Sequence, residues 1–159
     1  MFKGAALFVL VSVVSSLTLA QGEFPLGPDA TLTPGSLCNS ADQIRYPEKI
    51  KYCKRDVSGG EKAQVFRKYD NIGYRTRSMN RQDFKIDHYI PLCAGGGNDE
   101  RNLWPQHVSV YQITDKLEEL VCIKMAEGRL SQKRAIEYIR RAKNNLDEAP
   151  GIEDEVRGL

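Results

Sequence analysis

The stretch Phe84-Lys85-Ile86-Asp87-His88-Tyr89-Ile90-Pro91-Leu92, then Ala94-Gly95-Gly96-Gly97-Asn98-Asp99, then Asn102-Leu103-Trp104-Pro105-Gln106-His107 decides how this chain reads. From Phe84 to Ile90 apolar and polar side chains alternate, the two-residue period of a half-buried strand. The glycine run is a concentrated turn signal, and Leu103-Trp104 begins a returning strand, giving a hairpin with an enlarged loop. Directly after it, Val110, Ile113, Leu117, Leu120 and Val121 recur at helical spacing, which predicts a helix over Ser109–Met125. Tyr111, Asp115, Glu118 and Cys122 fall within about 60° of one another on the side roughly opposite that stripe. The apolar stripe is then free to pack on a later helix while the second stripe faces the hairpin.

Upstream, Ser58-Gly59-Gly60 precedes a short helix over Glu61–Tyr69, with Ala63, Val65, Phe66 and Tyr69 available for packing. Downstream, Gly128 ends the long helix and Ser131 caps another that runs to about Lys143, with Ala135, Ile136, Ile139 and Ala142 on its packing face. Residues 147–159 read as a C-terminal tail, either a short helix or a frayed end. Residues 21–36 carry Pro25, Pro28 and Pro34 with Gly27 and Gly35, no helical or strand period, and read as a leader or linker. Residues 1–20 read as a signal peptide: Lys3 supplies the positive start, Ala5 to Val14 an apolar core, and Thr18-Leu19-Ala20 small residues at the cleavage positions. No later apolar run approaches the roughly 20 residues needed to span a bilayer. The expected product is secreted or periplasmic, with no membrane attachment in its mature form.

The mature chain of 139 residues carries 22 Lys and Arg against 21 Asp and Glu, which excludes a strongly basic nucleic-acid coat but not a local basic patch. Its four cysteines, Cys38, Cys53, Cys93 and Cys122, are an even set in a chain that leaves the cytoplasm, so two disulfides are expected. Three pairings are possible. Cys38 with Cys53 closes a segment too short to bury its own apolar groups and contributes on the order of 3 kcal/mol. Cys122, on the stripe facing the hairpin, is then placed to meet Cys93.

The only two histidines, His88 and His107, both fall in this unit, with Asp87 before the first and Asn102 between them. This constellation resembles the HNH endonucleases of the ββα-metal class, particularly their small secreted members. The likeness extends upstream through Arg45-Tyr46-Pro47-Glu48-Lys49-Ile50, Tyr52-Cys53 and Arg55, and downstream through Thr114-Asp115, Glu118 and the C-terminal helices. It implies an α+β fold, a small ββα unit with additional helices stapled by disulfides, spanning residues 37–146. It also implies hydrolysis of phosphodiester bonds in nucleic acid, duplex DNA without strong sequence specificity, with RNA as a further substrate, by a monomer.

By the same likeness, His88 is the general base and Asn102 the residue that fixes the site loop and the base. Asp87 and His107 are metal ligands. Neutral imidazole accepts a proton near neutral pH, and a divalent cation stabilises charge on the phosphoryl group and the leaving 3′ oxygen. Mg²⁺ is expected first, with Mn²⁺, Ni²⁺ or Zn²⁺ compatible with the mixed donors. Adjacent strand residues point to opposite faces, so the arrangement needs a bulge or a strand end at Asp87-His88.

One departure stands out: His107 is five residues beyond Asn102, whereas many nucleases of this class carry the last ligand further on, in the helix. Asp115 is therefore a third candidate ligand and Glu118 an acceptor behind it, against a plain reading in which the two form a helix capping box. Among the basic residues, Arg81, Lys85 and Arg101 are assigned to the nucleic acid. Trp104-Pro105 reads as a core wedge. Two rival readings are a non-catalytic nucleic-acid-binding module of the same fold and a structural zinc protein using His88, His107, Cys93 and Cys122.

Overall fold

The computed structural model describes residues 22–159, so the signal-peptide reading lies outside the described residues. Within them the chain is α+β: four helices and two small antiparallel sheets, held by two disulfides. The first sheet pairs β1 (Gln43–Arg45) with β2 (Ile50–Tyr52) across a turn in which Tyr46 and Lys49 take positive φ. Helix α1 (Gly59–Asp70) follows. Ser58 caps it, accepting from the Glu61 amide at 3.2 Å while the Glu61 carboxylate accepts from the Ser58 amide at 2.6 Å. That reciprocal cap starts the helix at the two glycines, earlier than hydrophobic periodicity alone suggests.

The second sheet pairs β3 (Phe84–His88) with β4 (Leu103–His107), and α2 (Val108–Ala126) leaves β4 without an intervening loop. This is the strand, long loop, strand, helix order expected from the alternation. Helices α3 (Gln132–Asn144) and α4 (Ala149–Arg157) complete the chain, so the C-terminal residues form a helix, with Ile152 and Val156 buried against α2 and α3.

Two apolar cores result. One joins Leu117, Val121 and Met125 of α2 to Ala135, Ile139 and Ala142 of α3, with Ile50 and Ile90 above them. The other packs Val65, Phe66 and Tyr69 of α1 on Phe84, Ile86, Leu103 and Trp104. Trp104 is fully buried, a core wedge as its sequence context suggests. The disulfides join Cys38 to Cys53 and Cys93 to Cys122, with Cα atoms 5.6 and 5.7 Å apart. No thiolate remains, which removes the structural zinc reading.

The Pro/Gly-rich stretch lacks helix and strand, yet it is not a loose leader. Phe24 stacks on the His107 ring at 4.0 Å, and buried Thr33 donates to the Leu103 carbonyl and lies 2.8 Å from the Tyr69 hydroxyl. It straps α1 to the second sheet. No helix among the described residues is long and apolar enough to cross a membrane.

Candidate active site

His88 is the last residue of β3, and the register runs without a bulge: Asp87 faces Trp104 and His88 faces Leu103. Alternation therefore sends the two side chains to opposite faces of the hairpin at the end of β3.

His88 is 3% exposed, and its ring is held at both nitrogens. Nδ1 lies 3.1 Å from Arg55 Nη1, and Nε2 lies 3.0 Å from Asn98 Oδ1. A guanidinium can only donate, so Nδ1 is the acceptor, and the proton sits on Nε2, donated to Asn98. Asn98 in turn donates from Nδ2 to the Lys54 carbonyl. Burial pushes the His88 pKa down to about 4, the Arg55 charge acting in the same direction against the Asn98 bond and Asp87. The imidazole is thus neutral at pH 7.

Asn102 clamps the loop that follows. Its Oδ1 accepts from the Ile90 amide at 2.9 Å, and its Nδ2 donates to the Ile90 and Gly97 carbonyls, each at 2.9 Å. It is fully buried and positions the backbone behind His88. Gly96 is required beside it, because a Cβ there would collide with the Ile90 carbonyl oxygen and approach Asn102 Nδ2 to 2.9 Å. Gly96→Ala is expected to cost about 1–3 kcal/mol by overpacking a backbone that cannot retreat. Urea denaturation measures it, and an unchanged midpoint would show that the loop yields.

On the other face, Asp87, Asp115 and Glu118 each offer a carboxylate oxygen, all within 4.8 Å of one another. Asp115 lies mid-helix in α2, so the capping-box reading of Asp115 and Glu118 is set aside. Two ammonium groups share the cluster. Lys143 Nζ is 3.0 Å from Asp87 Oδ2 and 2.6 Å from Glu118 Oε1, and donates to the His88 carbonyl at 2.6 Å. Lys85 Nζ is 2.6 Å from Asp115 Oδ1 and 3.9 Å from Asp87 Oδ1. Lys143 is fully buried, whereas the Lys85 side chain is 34% exposed and also lies over the Tyr111 ring. With Lys85 withdrawn, the oxygen donors suit a hard divalent cation.

Electrostatics order the cluster. Burial raises Asp87, but the Lys143 and Lys85 charges outweigh it and hold its carboxyl below the ordinary range. Burial pushes Glu118 up to about 7, Asp87 adding to the rise and Lys143 opposing it. Burial alone would lower Lys143; Asp87 and Glu118 reverse this and keep it charged.

These shifts oppose each other in stability. For His88, depressed from 6.5 to about 4, the unfolded chain binds the extra proton, so stability falls as pH drops through that window. For Glu118, raised from 4.5 to about 7, the folded chain binds it, so stability rises as pH drops from about 7. The wild-type chain in EDTA is expected to respond weakly over the shared window. Glu118→Gln leaves the His88 limb alone, and its unfolding free energy should fall steadily on acidification; a profile matching the wild type would contradict the pairing.

His107 does not join Asp87. It lies opposite Phe84, three residues along the hairpin and on the other face, where it stacks on Phe24 and caps α2 by accepting from the Ser109 amide at 3.3 Å. Strand alternation turns its ring away from Asp87, which corrects its assignment as a ligand, and the start of α2 at Val108 makes it the helix cap. The basic residues assigned to nucleic acid are also dispersed. Arg81 lies over the Phe66 ring and donates to the Phe84 carbonyl, and Lys85 pairs with Asp115. Exposed Arg101 has no side-chain partner among the described residues.

Three residues gain roles that their sequence context leaves open. Lys143 carried a signal, since it falls on the α3 face defined by Ala135, Ile139 and Ala142, where a charge requires a buried partner. Arg55 and Asn98 carried none beyond their place in the resemblance. Comparison with family models, curated proteins and solved structures gives no match.

Proposed function

We propose that this chain is a secreted or periplasmic HNH-type endonuclease of the ββα-metal class. It hydrolyses phosphodiester bonds in nucleic acid, foremost duplex DNA without strong base specificity, and acts as a monomer. The observation that carries the reading is a buried imidazole at the end of β3, its Nδ1 held by a guanidinium, one residue from Asp87 of the Asp87, Asp115 and Glu118 carboxylate cluster.

His88 accepts the proton of the attacking water at Nδ1, its Nε2 proton held in place by Asn98. Asn102 keeps the loop that carries Asn98 in register. Asp87 and Asp115, with Glu118, would hold one divalent ion, Mg²⁺ foremost and Mn²⁺, Ni²⁺ or Zn²⁺ as alternatives, after Lys85 withdraws. When bound, such an ion supplies charge stabilisation to the phosphoryl group and the leaving oxygen. Lys143 keeps the Asp87 carboxylate ionised and oriented.

Incubating supercoiled plasmid with the oxidised mature protein tests this directly. Nicking with Mg²⁺ or Mn²⁺, lost in EDTA and regained when the ion is restored, is the expected result. If the folded protein nicks neither plasmid nor RNA with any of these ions but retains salt-sensitive DNA binding, it is the non-catalytic module instead.

A further inference from the structure

The imidazole assigned as base is closed off in this conformation, and the residue closing it is cationic. Arg55 places Nη1 on His88 Nδ1 at 3.1 Å and donates from Nη2 to the Ile86 carbonyl at 2.7 Å. Both acceptors are neutral, and among the described residues no carboxylate lies within ion-pair distance of Arg55. The same side chain lines an open groove of about 740 Å³, together with Lys54, Asn98 and the acidic residues Asp42, Asp56, Glu61 and Asp99. His88 itself does not line that groove. Water reaches Nδ1 only when Arg55 moves.

We infer that Arg55 is a phosphate-gated cap: it holds the lone pair of His88 in the free protein and transfers its guanidinium to a backbone phosphate of bound nucleic acid, uncovering the base. This rests on the nuclease reading for its consequence, though not for its geometry. A guanidinium bonded to two neutral acceptors gains by exchanging them for a phosphate, which it grips with two charge-assisted hydrogen bonds. Asn98, tied to His88 and to the Lys54 carbonyl, is a neutral amide and carries no charge that would draw it from the ring to a phosphate. The exchange also confines an active imidazole to the substrate complex. In a groove rich in carboxylates, Arg55 and Lys54 are the cations available to a polyanion, so loss of Arg55 is felt in binding.

The chain's two histidines make the free-state half of this directly measurable. Diethyl pyrocarbonate modifies an accessible neutral imidazole nitrogen, and peptide mass spectrometry reads His88 against His107 as the internal reference. In the wild-type protein His88 should react far more slowly than His107, and Arg55→Ala should raise its rate about tenfold or more, the loss of one charge-assisted hydrogen bond. The bound-state half is read in EDTA with a short DNA duplex: Arg55→Ala should weaken binding and lower the salt slope by about one charge. Arg55→Lys should restore part of the slope, and Arg55→Gln serves where the alanine variant does not fold. A His88 rate unchanged in the variants removes the cap. A salt slope unchanged removes the transfer to phosphate. Should the wild-type protein fail to cleave any nucleic acid while both shifts occur, the nuclease reading falls and the Arg55 exchange stands.

Discussion

His88→Ala is expected to nick supercoiled plasmid about 10²–10⁴-fold more slowly than the wild-type chain, the range for removing a general base. No second imidazole can substitute, because His107 lies on the hairpin at the Phe84 end, stacked on Phe24 and capping α2. The substitution deletes the acceptor of Arg55 Nη1 but leaves that side chain its bond to the Ile86 carbonyl. The Asp87, Asp115 and Glu118 cluster is untouched, so affinity for the divalent ion should change little. Initial rates at saturating Mg²⁺ and at several concentrations of plasmid separate a loss of turnover from a loss of binding. A variant that retains the full rate would show that His88 is a buried structural histidine and leave the proposed chemistry without a base.

Lys143→Met should destabilise the folded chain by about 3–5 kcal/mol at pH 7, the cost of leaving buried carboxylates without their cation. Methionine keeps much of the length and apolar contact, so the loss reports the charge. Asp87 then lacks its partner at 3.0 Å, Glu118 its partner at 2.6 Å, and the His88 carbonyl its donor. Glu118 absorbs part of the effect by taking up a proton, its carboxyl already standing at about 7. Adding Glu118→Gln and Asp87→Asn to Lys143→Met should recover a large share of the stability, since a neutral network carries no uncompensated buried charge. Guanidinium denaturation decides it: a loss under about 1 kcal/mol, the worth of an exposed pair, would show the cluster is better solvated than its burial implies.

The hairpin and the long helix were legible because each rests on local signals. Alternation over Phe84–Ile90, the glycine run and the stripe through Val110, Leu117 and Val121 need no distant partner to be recognised. Cys122 could be placed near Cys93 because the helical angle put it on the face turned to the hairpin. The same angle brought Asp115 and Glu118 to Asp87, as the structure has them. Less legible was the packing of residues 22–36, whose contacts are with Tyr69, Leu103 and His107, each far away in the chain.

His107 shows where spacing misleads. Its distance from Asn102 places it beside the motif, but strand alternation turns its ring away from Asp87, and only the pairing register with Phe84 reveals this. Lys143 and Arg55 are the complementary cases. They come from α3 and from the segment after the first disulfide, 56 and 33 residues from Asp87 and His88. The local pattern of residues, with its periods of 2 and 3.6, thus determined the strand–loop–strand–helix unit and the helix face that carries Cys122, while the candidate base came from the resemblance. Which charges neutralise the carboxylates, and which side chain covers that base, was decided by tertiary packing alone, because Coulombic and hydrogen-bond partners are selected by distance in space and leave no period along the chain.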